Sequence, residues 1–156
     1  MREQSEFAEK IIQINRVSKK TQGGNKMAFS VLMVVGDKKG RVGIGLGKAP
    51  DVLSGIKKAS RRAKDRMINV PIINTTIPFP MSVKLGAVKM ILRPAPSGTG
   101  IIAGGAIRSI LDVAGYRNVV CKILGTSNPA SNSYAIFETL AKMSVIAKKK
   151  GIEGII

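Results

Sequence analysis

The sequence predicts an α+β protein of two units, and three observations lead there. Apolar residues alternate with period two over several short stretches. They recur at spacings of three and four in others. A proline-rich segment near the middle separates a β-β-β-α order from a β-β-α-β-α order. The 156 residues suffice for one ordinary domain or two small ones, and 44% hydrophobic content is too apolar for a disordered chain.

The elements follow in order. "EKIIQINRV", Glu9 to Val17, is rich in Ile and Val and reads as a strand, followed by a polar loop, "SKKTQGGNK", Ser18 to Lys26. "MAFSVLMVV" then places Met27, Phe29, Val31, Met33 and Val35 on one face of a second strand. After the turn "GDKKG", "RVGIGLG" alternates Val42, Ile44 and Leu46 with Gly43, Gly45 and Gly47, a strand with one apolar face and one bare face. From Asp51 to Met67, the spacing of Val52, Ile56, Ala59, Ala63 and Met67 predicts an amphipathic helix.

"NVPIINTTIPFP", Asn69 to Pro80, holds three prolines and marks the boundary, with room for an edge strand. "SVKLGAVKMILRP" is a strand candidate, and the glycine-rich "APSGTGIIAGG" reads as a loop. The next helix buries Ile107, Ile110, Leu111 and Ala114 and stops at Gly115. "NVVCKILG" puts Val119, Cys121 and Ile123 on one strand face, and "TSNPASN" reads as a loop. A last helix is buried through Ile136, Leu140 and Met143. The expected division is a leader at 1–8, a first unit at 9–70, a connecting or edge segment at 71–80, a second unit at 81–148 and a mobile tail at 149–156.

Charge narrows the function. With 26 Lys and Arg against 9 Asp and Glu, the chain carries a net charge of +17, a field that favours a polyanion. The excess is concentrated: Arg16 to Arg66 holds 14 basic and 3 acidic residues. No apolar run approaches the roughly 18 residues needed to span a membrane, and the start, "MREQSEFAEK", resembles neither a secretory signal nor a transit peptide. A cytoplasm-like compartment is expected. His is absent and Cys121 is the single cysteine, which removes disulfides, Cys/His zinc sites and His-based acid–base chemistry; Cys121 reads as a core thiol. Aromatic residues at 4%, with no Trp, favour contact with phosphates and duplex shape over base stacking.

Four motifs compete for attention. The helical stretch that begins "GIKKASRRAK" and runs on to Arg66 carries Lys57, Lys58, Arg61, Arg62, Lys64 and Arg66 within about three turns, where like charges repel unless phosphates neutralise them. The loop joins Arg16, Ser18, Lys19, Lys20, Asn25 and Lys26 to Gly23 and Gly24, whose backbone a phosphate can approach closely; Lys48 follows on the third strand. "GIGLGK" lacks the spacing of a nucleotide-binding loop. "SGTGIIAGG" precedes a helix. However, the only acids after Val70 are Asp112, Glu138 and Glu153, too few and too dispersed for magnesium-dependent phosphoryl transfer. It reads as a packing or interface loop. No metal and no cofactor is expected.

"NRVSKKTQGG", "MINV" and above all "PSGTGIIAGGAIRSILDVAGYRNVVCKILGTSNP" resemble the bacterial small-subunit ribosomal protein five family, in one register from about Glu9 to about Pro129. The resemblance implies a β-β-β-α unit like the double-stranded-RNA-binding fold, then a two-layer α/β unit whose glycine loop and helix meet neighbouring ribosomal proteins. It implies that Arg16 to Lys26 reaches small-subunit (16S-type) ribosomal RNA near the spectinomycin site, with Ser18, Lys19 and Lys20 leading. Lys57, Lys58, Arg61 and Arg62 fall on the basic helix of that fold. Gly100 and Arg108 match positions that contact small-subunit protein four, with Gly98 and Gly104 in the same loop, and the segment beyond Asn132 is where protein eight would be met. The family also lines the channel through which messenger RNA enters and is implicated in decoding accuracy. "TIPFPMSV" has Phe79 where the family often has His, and "SNPASNSYAIFETL" departs from the usual pattern.

The sequence thus points to a non-enzymatic, structural RNA-binding protein of the small ribosomal subunit, in a bacterial cytoplasm or an organelle of bacterial descent. Two rivals are a free-standing duplex-RNA-binding module, which leaves the second unit without a role, and a small-molecule kinase, which would need the glycine loop for ATP.

Overall fold

In a computed structural model, which describes residues 7–149, the period-two stretches form two four-stranded sheets. Strands β1 (Ala8–Thr21), β2 (Gly24–Gly36) and β3 (Arg41–Ala49) pair antiparallel in that order, and a two-residue β4 (Ile68–Asn69) adds to the start of β3. Helix α1 (Val52–Asp65) connects β3 to β4. Strands β5 (Met81–Leu85), β6 (Val88–Pro94), β7 (Ile101–Ile102) and β8 (Val119–Ile123) form the second sheet in the order β5-β6-β8-β7, with α2 (Gly105–Ala114) and α3 (Pro129–Lys149) packed on it. This is an α+β fold of two domains.

Several expectations are corrected. The polar loop at 18–26 is the end of a long hairpin: β1 and β2 stay paired up to Thr21 opposite Gly24, leaving Gln22 and Gly23 as the turn. "SVKLGAVKMILRP" is two strands around Gly86, whose φ of +58° makes the turn. The glycine loop contains β7, parallel to β8. "TSNPASN" is not all loop, because α3 begins at Pro129: Asn128 Oδ1 accepts from the Ala130 N–H at 3.1 Å, and proline suits a first helical position. The segment at 71–80 carries buried Ile72 and Ile77. Of the leader and the tail, residues 1–6 and 150–156 lie outside the described residues; Ala8 already belongs to β1 and Lys149 ends α3.

The first sheet is covered on both faces, and β2 shows how. Val31 and Met33 meet Ala59 of α1, whereas Leu32 and Val34 join a larger cluster with Ile107, Ile110 and Leu111 of α2 and Ile136, Leu140 and Met143 of α3. A strand buried on both sides reads as an unbroken apolar run, as "VLMVV" does. Backbone bonds seal the contact: the Lys38 N–H donates to Val113 O at 2.9 Å and the Gly40 N–H to Ala114 O at 2.8 Å. The β2–β3 turn therefore caps the end of α2. Gly115, at φ +112°, completes that stop, and Cys121 is buried at the second sheet, its thiol pushed up to about 11 by burial.

Candidate nucleic-acid interface and the glycine loop

Helix α1 starts at Asp51, whose carboxylate accepts from the Ser54 N–H and is held below the ordinary Asp value by that hydrogen bonding. Its small residues Gly55, Ala59 and Ala63 face the bare side of β3, where a Cβ on Gly43 or Gly45 would come within 2.1 Å of the Ala63 or Ala59 carbonyl oxygen. "GIGLG" is therefore filled by the helix backbone. With small residues turned down, the cations must occupy the remaining circumference, and all four candidates, Lys57, Lys58, Arg61 and Arg62, are exposed.

They separate into two rows by their i, i+4 spacing. Lys57 and Arg61 border a groove with Glu9, Ser60 and Lys64; there Glu9 accepts from the Ser60 hydroxyl at 2.7 Å and pairs with Lys64 at 3.2 Å. Lys58 and Arg62 lean over β3. The Lys58 ammonium donates to Lys48 O at 3.2 Å, and the Arg62 guanidinium to Leu46 O at 2.7 Å. Because β4 pairs only with Arg41 and Val42, the rest of that edge is open, and these side chains protect it. The second row has a structural role that the sequence did not reveal.

The hairpin supplies the other cations. Arg16, Ser18 and Lys20 stand opposite Phe29, Met27 and Asn25, on the sheet face that also carries Val31, Met33 and α1. Lys26 and Lys48 belong to the opposite face by the same alternation, and Lys19 pairs with Lys26 along the backbone. Arg16, Ser18, Lys20, Gly23, Gly24, Lys26 and Lys48 are all exposed. No acid occurs between Glu9 and Asp37, so nothing within the hairpin neutralises it.

The glycine loop is organised by a residue the sequence reading missed. Asn118 is buried, and its Oδ1 accepts from the N–H groups of both Gly98 and Gly100, each at 3.1 Å. Its Nδ2 donates to Thr75 Oγ1 at 2.6 Å, while Thr75 O accepts from the N–H groups of Arg117 and Asn118. Thr75 and Asn74 have φ of +66° and +50°, a conformation rare for a β-branched residue. A tight turn in the connecting segment thus sets the loop's shape. Gly104 caps α2, its carbonyl accepting from the Arg108 N–H at 2.8 Å. The exposed Arg108 side chain lines a cleft with Arg117, Ser109 and the Lys10–Asp112 ion pair, in which the Lys10 hydrogen bond holds the Asp112 carboxyl below its ordinary value.

These features define a class: a basic two-sheet binding protein, with cationic hairpin and helix on one sheet and a shaped loop on the other. The family models for "Ribosomal protein S5, N-terminal domain" and "Ribosomal protein S5, C-terminal domain" match residues 7–71 and 83–150. The chain is 44% identical over 153 residues to "Small ribosomal subunit protein uS5" of Acaryochloris marina, covering 96% of this chain and 86% of the relative. It is 47% identical over 148 residues to the protein of that name from Pseudomonas paraeruginosa, covering 93% and 89%. To "Small ribosomal subunit protein uS5c" of Cyanophora paradoxa it is 41% identical over 151 residues, covering 94% and 89%. The chain belongs to the ribosomal protein S5 family, a family of structural ribosomal proteins and not of enzymes.

Proposed function

We propose that the protein is a component of the small ribosomal subunit that clamps ribosomal RNA backbone with its first unit, residues 9–70, and meets neighbouring proteins with its second, residues 81–148. Arg16, Ser18, Lys20, Lys26, Lys48, Lys57, Lys58, Arg61 and Arg62 supply the phosphate contacts, joined by Lys19, Asn25 and the hairpin-tip backbone at Gly23 and Gly24. The observation that carries this reading is the acid-free hairpin, whose Arg16, Ser18 and Lys20 share a sheet face with the basic helix, in a chain of this family. Gly98, Gly100, Gly104 and Arg108 form the surface toward protein four, and the α3 side lies toward protein eight. The hairpin lies near the spectinomycin site, and the protein borders the channel by which messenger RNA enters, so that it supports assembly and decoding accuracy. It resides where such ribosomes do, in a bacterial cytoplasm or an organelle of bacterial descent; among the described residues no helix is long and apolar enough to cross a membrane.

The test is binding to small-subunit RNA across a salt series, with unrelated duplex as competitor. Each phosphate neutralised steepens the dependence by roughly 0.7 to 0.9 log units. Replacing Lys57 and Arg61 by Gln, which leaves the Lys58 and Arg62 bonds to β3 in place, is expected to flatten the slope while the protein stays folded, and replacing all four to flatten it further. An unchanged slope removes the helix from the interface.

A further inference from the structure

Where β3 turns away into α1, the hairpin continues alone, and a groove of about 540 Å³ opens between them. It wraps the open edge of β2, so that Val17, Ala28, Lys26 and Lys48 line it from one sheet face and Met27 and Ser18 from the other, with Ala49 and Pro50 beyond the end of β3, and its wall is mostly apolar. Val17 and Met27 are 40% and 41% exposed, so both side chains can be reached from the groove. The volume lies within the range of small-molecule sites. The nearest acid in sequence, Asp51, is engaged with the Ser54 N–H.

We propose that this groove receives one unstacked nucleotide of the bound RNA, its ribose and base against the apolar wall and its flanking phosphates on Lys26 and Lys48. The argument is complementarity. A continuous duplex presents a convex row of phosphates and keeps its bases stacked inside, so it has nothing to place in a concave apolar groove. An unpaired nucleotide combines an apolar surface with anionic flanks, as the groove combines an apolar wall with cationic flanks. A neighbouring protein's apolar side chain would satisfy the wall but leave both lysines unused. The inference rests on the RNA-binding reading above and adds to it the kind of RNA element recognised.

The experiment compares two RNA hairpins of one stem sequence, one uninterrupted and one with a single-nucleotide bulge, bound to the full-length protein. Wild-type protein is expected to bind the bulged stem about tenfold more tightly, as a modest apolar base contact would give. Val17→Ser should abolish that preference yet keep the salt slope, because both lysines remain and Met27, which accepts from the Arg16 guanidinium at 3.1 Å, is untouched. Lys26→Gln with Lys48→Gln should lower affinity for both stems. Thermal unfolding of each variant shows whether the fold is kept, and the wild-type comparison needs no variant at all. Equal binding of the two stems by wild-type protein overturns the nucleotide groove while leaving RNA binding intact. Absence of salt-dependent binding to either stem overturns the RNA-binding reading and the groove with it.

Discussion

Two glycine-rich stretches, "GIGLG" and "GTGIIAGG", look alike in the sequence and do opposite things in the molecule. Along β3, Gly43, Gly45 and Gly47 are buried against α1, and a Cβ on any of them would strike helix backbone within 2.4 Å. In the loop, Gly98, Gly100 and Gly105 have nothing within 4 Å of where a Cβ would stand. The first stretch needs glycine for close approach, the second for backbone shape at Gly98 and Gly100 and for no steric reason at Gly105. Glycine spacing alone therefore carries no function; what lies against the missing side chain decides.

The largest expected effect sharpens the first half of that contrast. Gly45→Ala forces a methyl against Ala59 O and Ala63 N and should cost about 3 kcal/mol or more, since backbone cannot move aside as a side chain can. Urea unfolding measures it, and a loss below about 1 kcal/mol would break the contrast. Next comes Asn118→Ala, which leaves the Gly98 and Gly100 amides without their acceptor and removes the amide donor from Thr75 Oγ1, whose hydroxyl still donates to Asn74 O. It should cost about 2 kcal/mol and speed hydrogen exchange at both glycines. Gly105→Ala should do the reverse, stabilising by about 0.5 kcal/mol, because the position is helical and open. The smallest effect concerns the end of the helix that the loop begins. Asp112 is held below its ordinary value by Lys10, so their attraction is present above about pH 4 and lost as pH falls through the lowered value. Both side chains are substantially exposed, so Asp112→Asn should cost only about 0.3 kcal/mol at neutral pH and progressively less as pH falls through the lowered value.

Local pattern carried much of this fold. The period of "MAFSVLMVV", the three-four spacing from Val52 to Met67 and the stop at Gly115 each name an element that the structure contains. The hairpin end was illegible because Ser18 to Lys26 holds few apolar residues, and its pairing is decided by the preceding register and a two-residue turn, not by burial. Strand β7 was hidden for another reason: two residues have no period, and Ile101 and Ile102 become a strand only beside β8. The cations could be counted but not sorted. Which of them lean on β3 carbonyls depends on how α1 is rotated, and that follows from the glycine face opposite. Asn118 sits at the edge of a recognisable strand, and its role depends on Thr75, distant in sequence.

The cap that the β2–β3 turn places on α2 has a kinetic consequence. As the chain leaves the ribosome that makes it, the first sheet can pair as soon as β3 has emerged, but the Leu32 and Val34 side stays bare until α2 exists to receive Lys38 and Gly40. The stretch from the end of β3 at Ala49 to the end of α2 at Ala114 takes roughly 3 to 13 seconds to synthesise. For that interval the nascent protein displays an apolar sheet face and an acid-free cationic hairpin together, so a chaperone that shields the first and an RNA that occupies the second would act on the same unfinished molecule.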